Sequence, residues 1–285
     1  MSAKVKAAAI QMYMSADKNA NIAKAERFVR EAAAKGANII LLPELFETLY
    51  FCKDMDRKYF AWAQPLENNS LIQYFAALAK ELHVVVLVSY FEKADGSYFN
   101  SLVVVNADGK VMDNYRKTHI PDGPGYEEKF YFKPGDTGFK VYDTTYGKIG
   151  VGICWDQWFC ETARALTLMG AEIIFYPTAI GSEPEIHLDS KEHWQRVQMG
   201  HAATNTVPVV VANRTGVEKG ESCELTFYGS SFITDYTGVK IAEASRDAEE
   251  IIYAEFDLKE NAKQREYWGL LRDRRPEMYG TICSK

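Results

Sequence analysis

The sequence predicts an α/β fold in which mixed β-sheets are covered by helices. Apolar strands alternate with amphipathic helices in the first third of the chain and again after residue 149, while hairpin signals occupy the middle. Crossover connections give parallel strand pairs and tight hairpins give antiparallel ones, so the sheets should contain both. The sequence of 285 residues has no linker, low-complexity tract or internal repeat, and we therefore predict a single domain over residues 1–285.

The first third has the clearest helix–strand alternation. A buried strand is predicted at 5–11, and Asn21 opens a helix whose apolar positions recur at helical spacing. Gly36 suits the end of that helix, because glycine readily adopts the left-handed conformation found there. Three further elements are predicted in this part: a short apolar strand at 37–43, a helix at 71–82 and a β-branched strand at 84–88.

Turn signals dominate the middle of the chain, and helix–strand alternation resumes after it. The turn ADGK at 107–110 separates predicted strands at 101–106 and 111–115, and a turn at 144–148 precedes a strand at 149–154. The remaining predicted elements are a helix at 159–169, a helix at 192–205, strands at 173–177, 209–212 and 251–256, and a hairpin turn at 235–238.

Composition disfavours several classes of partner. With 33 basic and 39 acidic residues the formal charge is −6, whereas nucleic acids and anionic membranes attract basic surfaces. Five cysteines are too few, and odd in number, for a secreted disulfide framework. No run of about 18 apolar residues predicts a transmembrane helix. We therefore expect a cytoplasmic protein that binds neither nucleic acid nor membrane.

Three polar residues that follow predicted strands could act together in catalysis. Glu44 lies in LLPELF, at the carboxyl end of an apolar strand, where open α/β sheets place ligand sites. Lys117 precedes a loop rich in proline and glycine, and Cys154 lies between a strand and a helix, where backbone N–H groups stabilise a thiolate. Singly, each has an ordinary explanation: a helix-start carboxylate, a solvated lysine and a buried cysteine. Together they supply a base, a positive charge for an oxyanion and a nucleophile, without histidine.

Other chemistry has weaker support in the sequence. His187, His193 and His201 match no metal-binding spacing, and the chain has neither a complete dinucleotide fingerprint nor a P-loop. We therefore predict no metal and no NAD or ATP. A dyad of Cys154 with His119 or His193 remains an alternative.

Three motifs, taken together, resemble those of the nitrilase, or carbon–nitrogen hydrolase, superfamily. They are LLPELF with Glu44, YRKTHIP with Lys117 and GVGICWD with Cys154, in that order along the chain. The resemblance runs from Val5 to about Tyr279. Within the superfamily, segments such as HIPDGPGYEEKFYFKPGDTGF and RDRRPEMY look most like the N-carbamoylputrescine amidohydrolase family, which hydrolyses a ureido group to give putrescine, CO2 and ammonia.

The resemblance implies a fold and an assembly. It implies an αββα sandwich, in which two mixed sheets lie between helix layers, with no metal or cofactor. It also implies subunits that associate through a helix face, as dimers that build larger homo-oligomers. We expect the polar, arginine-rich tail from about residue 259 to take part in these contacts.

The resemblance further implies catalytic roles. Cys154 would attack the ureido carbonyl, and Glu44 would act first as general base and then as general acid. Lys117 and the backbone N–H of Trp155 would hold the developing oxyanion.

Supporting residues follow from the same resemblance and from the chemistry of the substrate. The family has a second glutamate after the lysine, which we assign to Glu128 in preference to Glu127, and which would position the substrate and the lysine. Because a carbamoylated diamine ends in an ammonium group, its pocket should offer a carboxylate, and we assign this role to Glu183. Tyr50 and Trp155 are expected to line the alkyl chain.

Two kinds of alternative remain open. β-Ureidopropionase and ω-amidase are sibling activities, but a carboxylate-bearing ureido substrate would require an arginine near Glu183, and none lies between Arg164 and Arg196. An inactive family member that serves as a binding or scaffold protein is an alternative of a different class. The presence of all three catalytic residue types argues against it.

Overall fold

The computed structural model describes residues 4–182 and 188–284 of the chain. Within these residues the strands form two six-stranded sheets and one separate hairpin. The strands are β1 (Lys4–Gln11), β2 (Ile39–Leu41), β3 (Val85–Ala94), β4 (Ser97–Val105), β5 (Tyr115–Arg116), β6 (Lys140–Thr144), β7 (Gly147–Val151), β8 (Ile173–Thr178), β9 (Val209–Asn213), β10 (Thr215–Lys219), β11 (Glu224–Tyr228), β12 (Phe232–Thr234), β13 (Lys240–Glu243) and β14 (Glu250–Asp257).

Helices separate many of these strands. The α-helices of the described residues are α1 (Lys18–Ala34), α2 (Ser70–Leu82), α3 (Glu128–Tyr131), α4 (Cys160–Leu168), α5 (Lys191–Asn205) and α6 (Leu258–Trp268). Short 3-10 helices occupy Phe51–Lys53, Arg57–Trp62, Cys154–Trp158, Pro276–Met278 and Gly280–Cys283. Among the helices described, none is long and apolar enough to cross a membrane.

Both large sheets are mixed. The first has the order β14-β1-β2-β3-β4-β5 and the second has the order β13-β12-β9-β8-β7-β6. Strands β1, β2 and β3 run parallel at the centre of the first sheet, as β7, β8 and β9 do in the second. The outer strands are antiparallel, since hairpins connect β3 to β4 and β6 to β7, and β14 returns beside β1.

Strand alternation places an apolar layer on each side of the first sheet. In β1, Ala7 and Ala9 face the second sheet, where they join a core that includes Val151 and Phe175. Ala8 and its alternate neighbours face α1 and α2 instead. The outer face of the second sheet is covered by α4 and α5 through a third cluster. The layers are therefore helix, sheet, sheet and helix, which confirms the predicted αββα sandwich.

Several element boundaries differ from the predictions. Helix α1 begins at Lys18 and not at Asn21, because the Asp17 side chain accepts hydrogen bonds from the N–H groups of Asn19 and Ala20. Asn21 is instead buried, and its amide binds the carbonyl of Glu47.

Other differences concern the extent of the strands and the end of the chain. The apolar segment predicted as a strand at 37–43 pairs on both sides only over Ile39–Leu41. The hairpin predicted around 107–110 is present, but its second strand pairs with β4 only at the Val105–Val111 bridge and through the two-residue strand β5. Helix α6 lies where only a polar tail was expected.

Candidate active site

Glu44 follows β2 and is fully buried. Its Oε1 accepts hydrogen bonds from Lys117 Nζ at 2.9 Å and from Asn100 Nδ2 at 2.7 Å. Asn100 lies on β4 and its carbonyl also accepts the backbone N–H of Lys117, so it fixes both residues. Glu44 Oε2 is buried without a hydrogen-bond partner among the described residues. This oxygen is the free acceptor that a general base requires.

Lys117 follows β5 and its ammonium group contacts two carboxylates. Its Nζ lies 2.9 Å from Glu44 Oε1 and 2.6 Å from Glu128 Oε2, and all three side chains have no exposed surface. Burial alone would lower the pKa of Lys117, but the Glu128 and Glu44 carboxylates raise it well above its ordinary value. Lys117 is therefore a cation fixed inside the protein.

Glu128 begins α3 and completes the charged set. Burial raises its pKa from 4.5 to about 7, against the opposing effect of Lys117 and with a further increase from Glu44. Its second oxygen, Oε1, accepts a hydrogen bond of 2.7 Å from the Tyr50 hydroxyl. One ammonium group thus lies between two carboxylates, of which Glu128 titrates near neutral pH.

Cys154 follows β7 in a strained backbone conformation. Its φ of 44° lies in the left-handed region, which costs a non-glycine residue on the order of 1 kcal/mol. Gly152 permits the approach to this turn, because a Cβ atom there would lie 2.8 Å from the Tyr176 ring. The Cys154 thiol lies 3.7 Å from the carbonyl oxygen of Ala179. Burial raises the pKa of this thiol well above its ordinary value, and the Glu44 carboxylate raises it further.

A cavity of about 160 Å³ opens onto Cys154 and Glu128. Trp155 forms part of its wall and is 38% exposed. The other residues of the wall are Pro121, Asp122, Gly123, Pro124, Tyr126, Trp158, Ala179 and Ile180. The thiol therefore faces a mostly apolar and aromatic chamber with carboxylates but no arginine or lysine in its described wall.

Comparison with known proteins assigns the family. The family model described as "Carbon-nitrogen hydrolase" matches residues 6–266. The chain belongs to this family. It is 53% identical to the N-carbamoylputrescine amidase of Arabidopsis thaliana, over 96% of this chain and 94% of the relative. It is 51% identical to the protein named citrullinase of Francisella tularensis, over 99% of each chain.

Solved structures of the same family share the fold. The carbon–nitrogen hydrolase of Helicobacter pylori G27 superposes with a TM-score of 0.92, at 39% identity and 99% coverage of both chains. Nit3 of Saccharomyces cerevisiae, a member of the nitrilase superfamily, superposes with a TM-score of 0.81 at 30% identity, over 95% of this chain and 97% of that chain. The nitrilase-like fold expected from the three motifs is therefore confirmed.

The structure brings together the residues that the motifs of this carbon–nitrogen hydrolase singled out. Glu44, Lys117 and Glu128 form one hydrogen-bonded set, and Cys154 shares the cavity with Glu128. Trp155 is part of the cavity wall. Glu183, assigned to the substrate ammonium group, lies outside the described residues.

Two assignments look different in the structure. Tyr50 is fully buried with its hydroxyl on Glu128, and so lies behind Glu128 and not along the cavity wall. His119, one partner of the alternative dyad, directs Nδ1 to Asp156, and His193 packs against Trp158.

Arg214 and Glu218 are site residues that the sequence reasoning missed. The Arg214 guanidinium is fully buried, and it donates to the carbonyl of Glu44 at 2.7 Å and to that of Leu45 at 3.2 Å. It also donates to Glu218 Oε1 at 2.7 Å, while Glu218 Oε2 accepts the backbone N–H of Tyr50. The ion pair holds the loop that carries Glu44. In the sequence, the pair could have been recognised as an arginine directly after a buried strand with an acidic residue four positions later.

Proposed function

We propose that this enzyme hydrolyses the ureido C–N bond of N-carbamoylputrescine to give putrescine, CO2 and ammonia. The observation that carries the proposal is a buried Glu–Lys–Glu set beside a cysteine at an apolar cavity. Relatives named N-carbamoylputrescine amidase from Arabidopsis, rice, potato and tomato, each 53% identical over nearly the whole chain, support this substrate.

The mechanism begins with the thiol. Because burial keeps Cys154 protonated at rest, attack on the ureido carbonyl carbon requires a base, and Glu44 takes the proton as the C–S bond forms. The carbonyl oxygen becomes an oxyanion, held by Lys117 Nζ and by the N–H of Trp155 in the first turn of its 3-10 helix. Removing one such donor typically costs about 10²–10³ in rate.

When the tetrahedral intermediate breaks down, Glu44 gives up the proton that it took from the thiol. The leaving nitrogen takes it from Glu44 as the C–N bond breaks, which leaves an acyl group on Cys154 sulfur. Water, deprotonated by Glu44, then attacks this thiocarbamate, and the C–S bond breaks as the proton on Glu44 returns to the Cys154 sulfur. The carbamic acid released loses CO2, which frees the second nitrogen product. Tyr50 acts through Glu128, whose carboxylate it orients, and Glu128 in turn orients Lys117.

Citrulline is a second candidate substrate, favoured by the relative named citrullinase. The two compounds differ only in the carboxylate that citrulline bears beside its amino group. The described cavity wall offers Asp122 and Glu128 but no cation to such a carboxylate. An unpaired charge in a partly buried site is unfavourable, and this favours the substrate without the carboxylate.

Ammonia release from the two substrates tests the proposal. We expect kcat/KM for N-carbamoylputrescine to exceed that for citrulline by about 100-fold, because the carboxylate would lose hydration without gaining a partner. Cys154→Ala should abolish both reactions while the protein stays folded. Cys160→Ala is the matched control, since Cys160 is exposed on α4, and should be nearly normal. Equal or greater turnover of citrulline would contradict the substrate assignment.

The ammonium-binding carboxylate is tested in the same assay. We propose Glu183, and expect Glu183→Gln to raise KM for N-carbamoylputrescine about tenfold with little change in kcat. Asp122→Asn is the comparison variant, since Asp122 is the more exposed acid of the described cavity wall. If KM rises only in the Asp122 variant, the assignment to Glu183 is wrong.

We also propose a single catalytic domain over residues 1–285, in a cytoplasmic enzyme. Strand β1 near the start pairs along its whole length with β14 near the end, which supports one folding unit. All five cysteines are free, and two of them are exposed, which suits a reducing compartment. Cell fractionation and limited proteolysis test these two points.

A further inference from the structure

Asp156 is a buried carboxylate with four hydrogen-bond donors. Its Oδ2 accepts from the backbone N–H of Ile153 at 2.9 Å and from the Tyr115 hydroxyl at 2.7 Å. Its Oδ1 accepts from the backbone N–H of His119 at 2.9 Å and from His119 Nδ1 at 2.8 Å. A carboxylate has about four acceptor sites, so these donors fill it. Asp156 is absent from the described wall of the cavity that holds Cys154.

The four donors come from two segments that this carboxylate joins. Ile153 directly precedes Cys154, while Tyr115 and His119 lie two residues on either side of Lys117. We propose that Asp156 is a positioning residue that sets the Cys154 turn against the Lys117 segment. The proposal rests on Cys154 being the nucleophile and Lys117 being the oxyanion donor.

The hydrogen bonds between Asp156 and Ile153 matter because they hold Cys154 in a strained conformation. The N–H of Asp156 donates to the carbonyl of Ile153 at 3.0 Å, while the N–H of Ile153 donates to the Asp156 side chain. These reciprocal bonds close a ring around Cys154, whose φ is 44°. Without the carboxylate, the turn can relax toward an ordinary backbone conformation and carry the sulfur away. A displacement of about 1 Å in a reacting group can cost about 10² in rate.

His119 also helps to hold the turn at Cys154, through its contacts with Asp156 and Phe159. Its ring stacks on Phe159 with centroids 3.7 Å apart and planes at 8°, while Nδ1 is directed to Asp156. Phe159 lies just beyond the 3-10 helix that begins at Cys154. The His119 ring therefore contacts the segment after Cys154 at two points, Asp156 and Phe159. Its role is to orient the Asp156 carboxylate.

The main test is Asp156→Asn, which keeps the shape of the side chain. In either orientation its NH2 group faces a backbone N–H, of Ile153 or of His119, so one of these bonds is lost. We expect kcat to fall about 100-fold and KM to change less than about threefold. Alkylation of Cys154 by iodoacetamide should slow about tenfold. Alkylation uses no natural substrate, so it stays informative even if N-carbamoylputrescine is not the substrate.

A pair of tyrosine variants serves as the matched control. Tyr115→Phe removes one of the four bonds and should lower kcat about tenfold with a melting temperature within a few degrees of wild type. Tyr142 lies buried in the same core between the sheets, but its hydroxyl has no partner among the described residues. Tyr142→Phe should therefore leave kcat unchanged.

Two results would overturn the proposal. The first is a kcat of Asp156→Asn within threefold of wild type, or a change confined to KM. The second is equal kcat for Tyr115→Phe and Tyr142→Phe, which decides the matter even if Asp156→Asn does not fold.

Discussion

The proposed catalytic residues include a buried set in which one cation is shared by two acids. Lys117 is paired with Glu44 and Glu128, and none of the three side chains has exposed surface. Isolated charges would be costly there, so the pairing is what allows Lys117 to remain charged. The same excess of negative charge opposes ionisation of the Cys154 thiol. Under the proposed mechanism, the enzyme therefore rests with a protonated thiol, and we expect the thiolate to form only as the substrate is attacked.

Glu128 makes the stability of the protein depend on pH. Burial raises the pKa of Glu128 from its ordinary value of 4.5 to about 7 in the folded protein. Between these values the folded protein holds a proton that the unfolded chain has lost. The contribution of Glu128 to stability is therefore greatest below pH 4.5 and is lost as the pH rises through about 7.

A neutral substitute should remove this dependence. We expect the free energy of unfolding of wild type, relative to Glu128→Gln, to fall by about 1 kcal/mol per pH unit within that window. Urea denaturation at pH 5 and pH 7.5 measures the difference. Glu127→Gln is the neighbouring control and should give a smaller slope, because Glu127 is only partly buried. A difference that stays constant across the two pH values would contradict the shifted pKa of Glu128.

At the scale of elements, the loop after β2 depends on a distant hairpin. Arg214 at the start of the β10–β11 unit binds two carbonyls of this loop, and Glu218 on β10 binds the N–H of Tyr50. Leu45, inside the loop, has a left-handed φ of 47°. The Arg214–Glu218 ion pair thus stabilises the strained backbone at Leu45. The position of Glu44 therefore depends on a segment about 170 residues later in the chain.

Breaking this pair should destabilise the protein strongly. Arg214→Met leaves Glu218 buried and uncompensated, which typically costs about 3–5 kcal/mol. Adding Glu218→Gln should recover part of that loss. Arg246→Met is the control, because the Arg246–Asp189 pair is about half exposed and should contribute under about 1 kcal/mol. Urea denaturation compares the variants, and equal losses for Arg214→Met and Arg246→Met would contradict the role of the buried pair.

Local patterns predicted the elements whose signal lies within their own residues. β1 and α2 were predicted within one residue, because their apolar pattern is continuous. Helix α5 was predicted as closely, although most of its buried positions are polar. Helix α6 was missed because it buries very little apolar surface, so no hydrophobic stripe marks it. The extent of β2 was overestimated, since pairing with both neighbours ends it and apolar composition does not.

In the candidate site too, residues that lie in local motifs were predicted and residues that act through long-range contacts were not. Glu44, Lys117 and Cys154 lie in separate motifs, each at the end of a strand, and the order of the motifs identified them. Asn100 and Arg214 gain their roles only from long-range contacts, since the residues they hold are 56 and 170 positions away. No periodicity or spacing encodes such contacts, so sequence reasoning could not find them.

For the whole molecule, the C-terminal segment leaves apolar side chains exposed beside α4. Leu168 and Met169 at the end of α4 and Leu270, Met278 and Ile282 in the tail are all more than 40% exposed. A groove of about 690 Å³ runs between α4 and the tail, lined by residues of both. Such a cluster is typical of an interface, and we propose that a second copy of the chain covers it.

A charge placed in this groove should dissociate the assembly. We expect the wild-type protein to have a mass of at least twice 32.3 kDa by light scattering, and Ile282→Asp to reduce that mass at micromolar concentration. Losing the burial of one isoleucine at an interface costs about 1.5–3 kcal/mol, which weakens association about 10- to 100-fold. Val217→Asp is the control, because Val217 is similarly exposed but lies on β10, away from the groove. A monomeric wild type, or equal dissociation by both variants, would place the interface elsewhere or exclude it, whereas a loss of mass in Ile282→Asp alone assigns the tail to the interface.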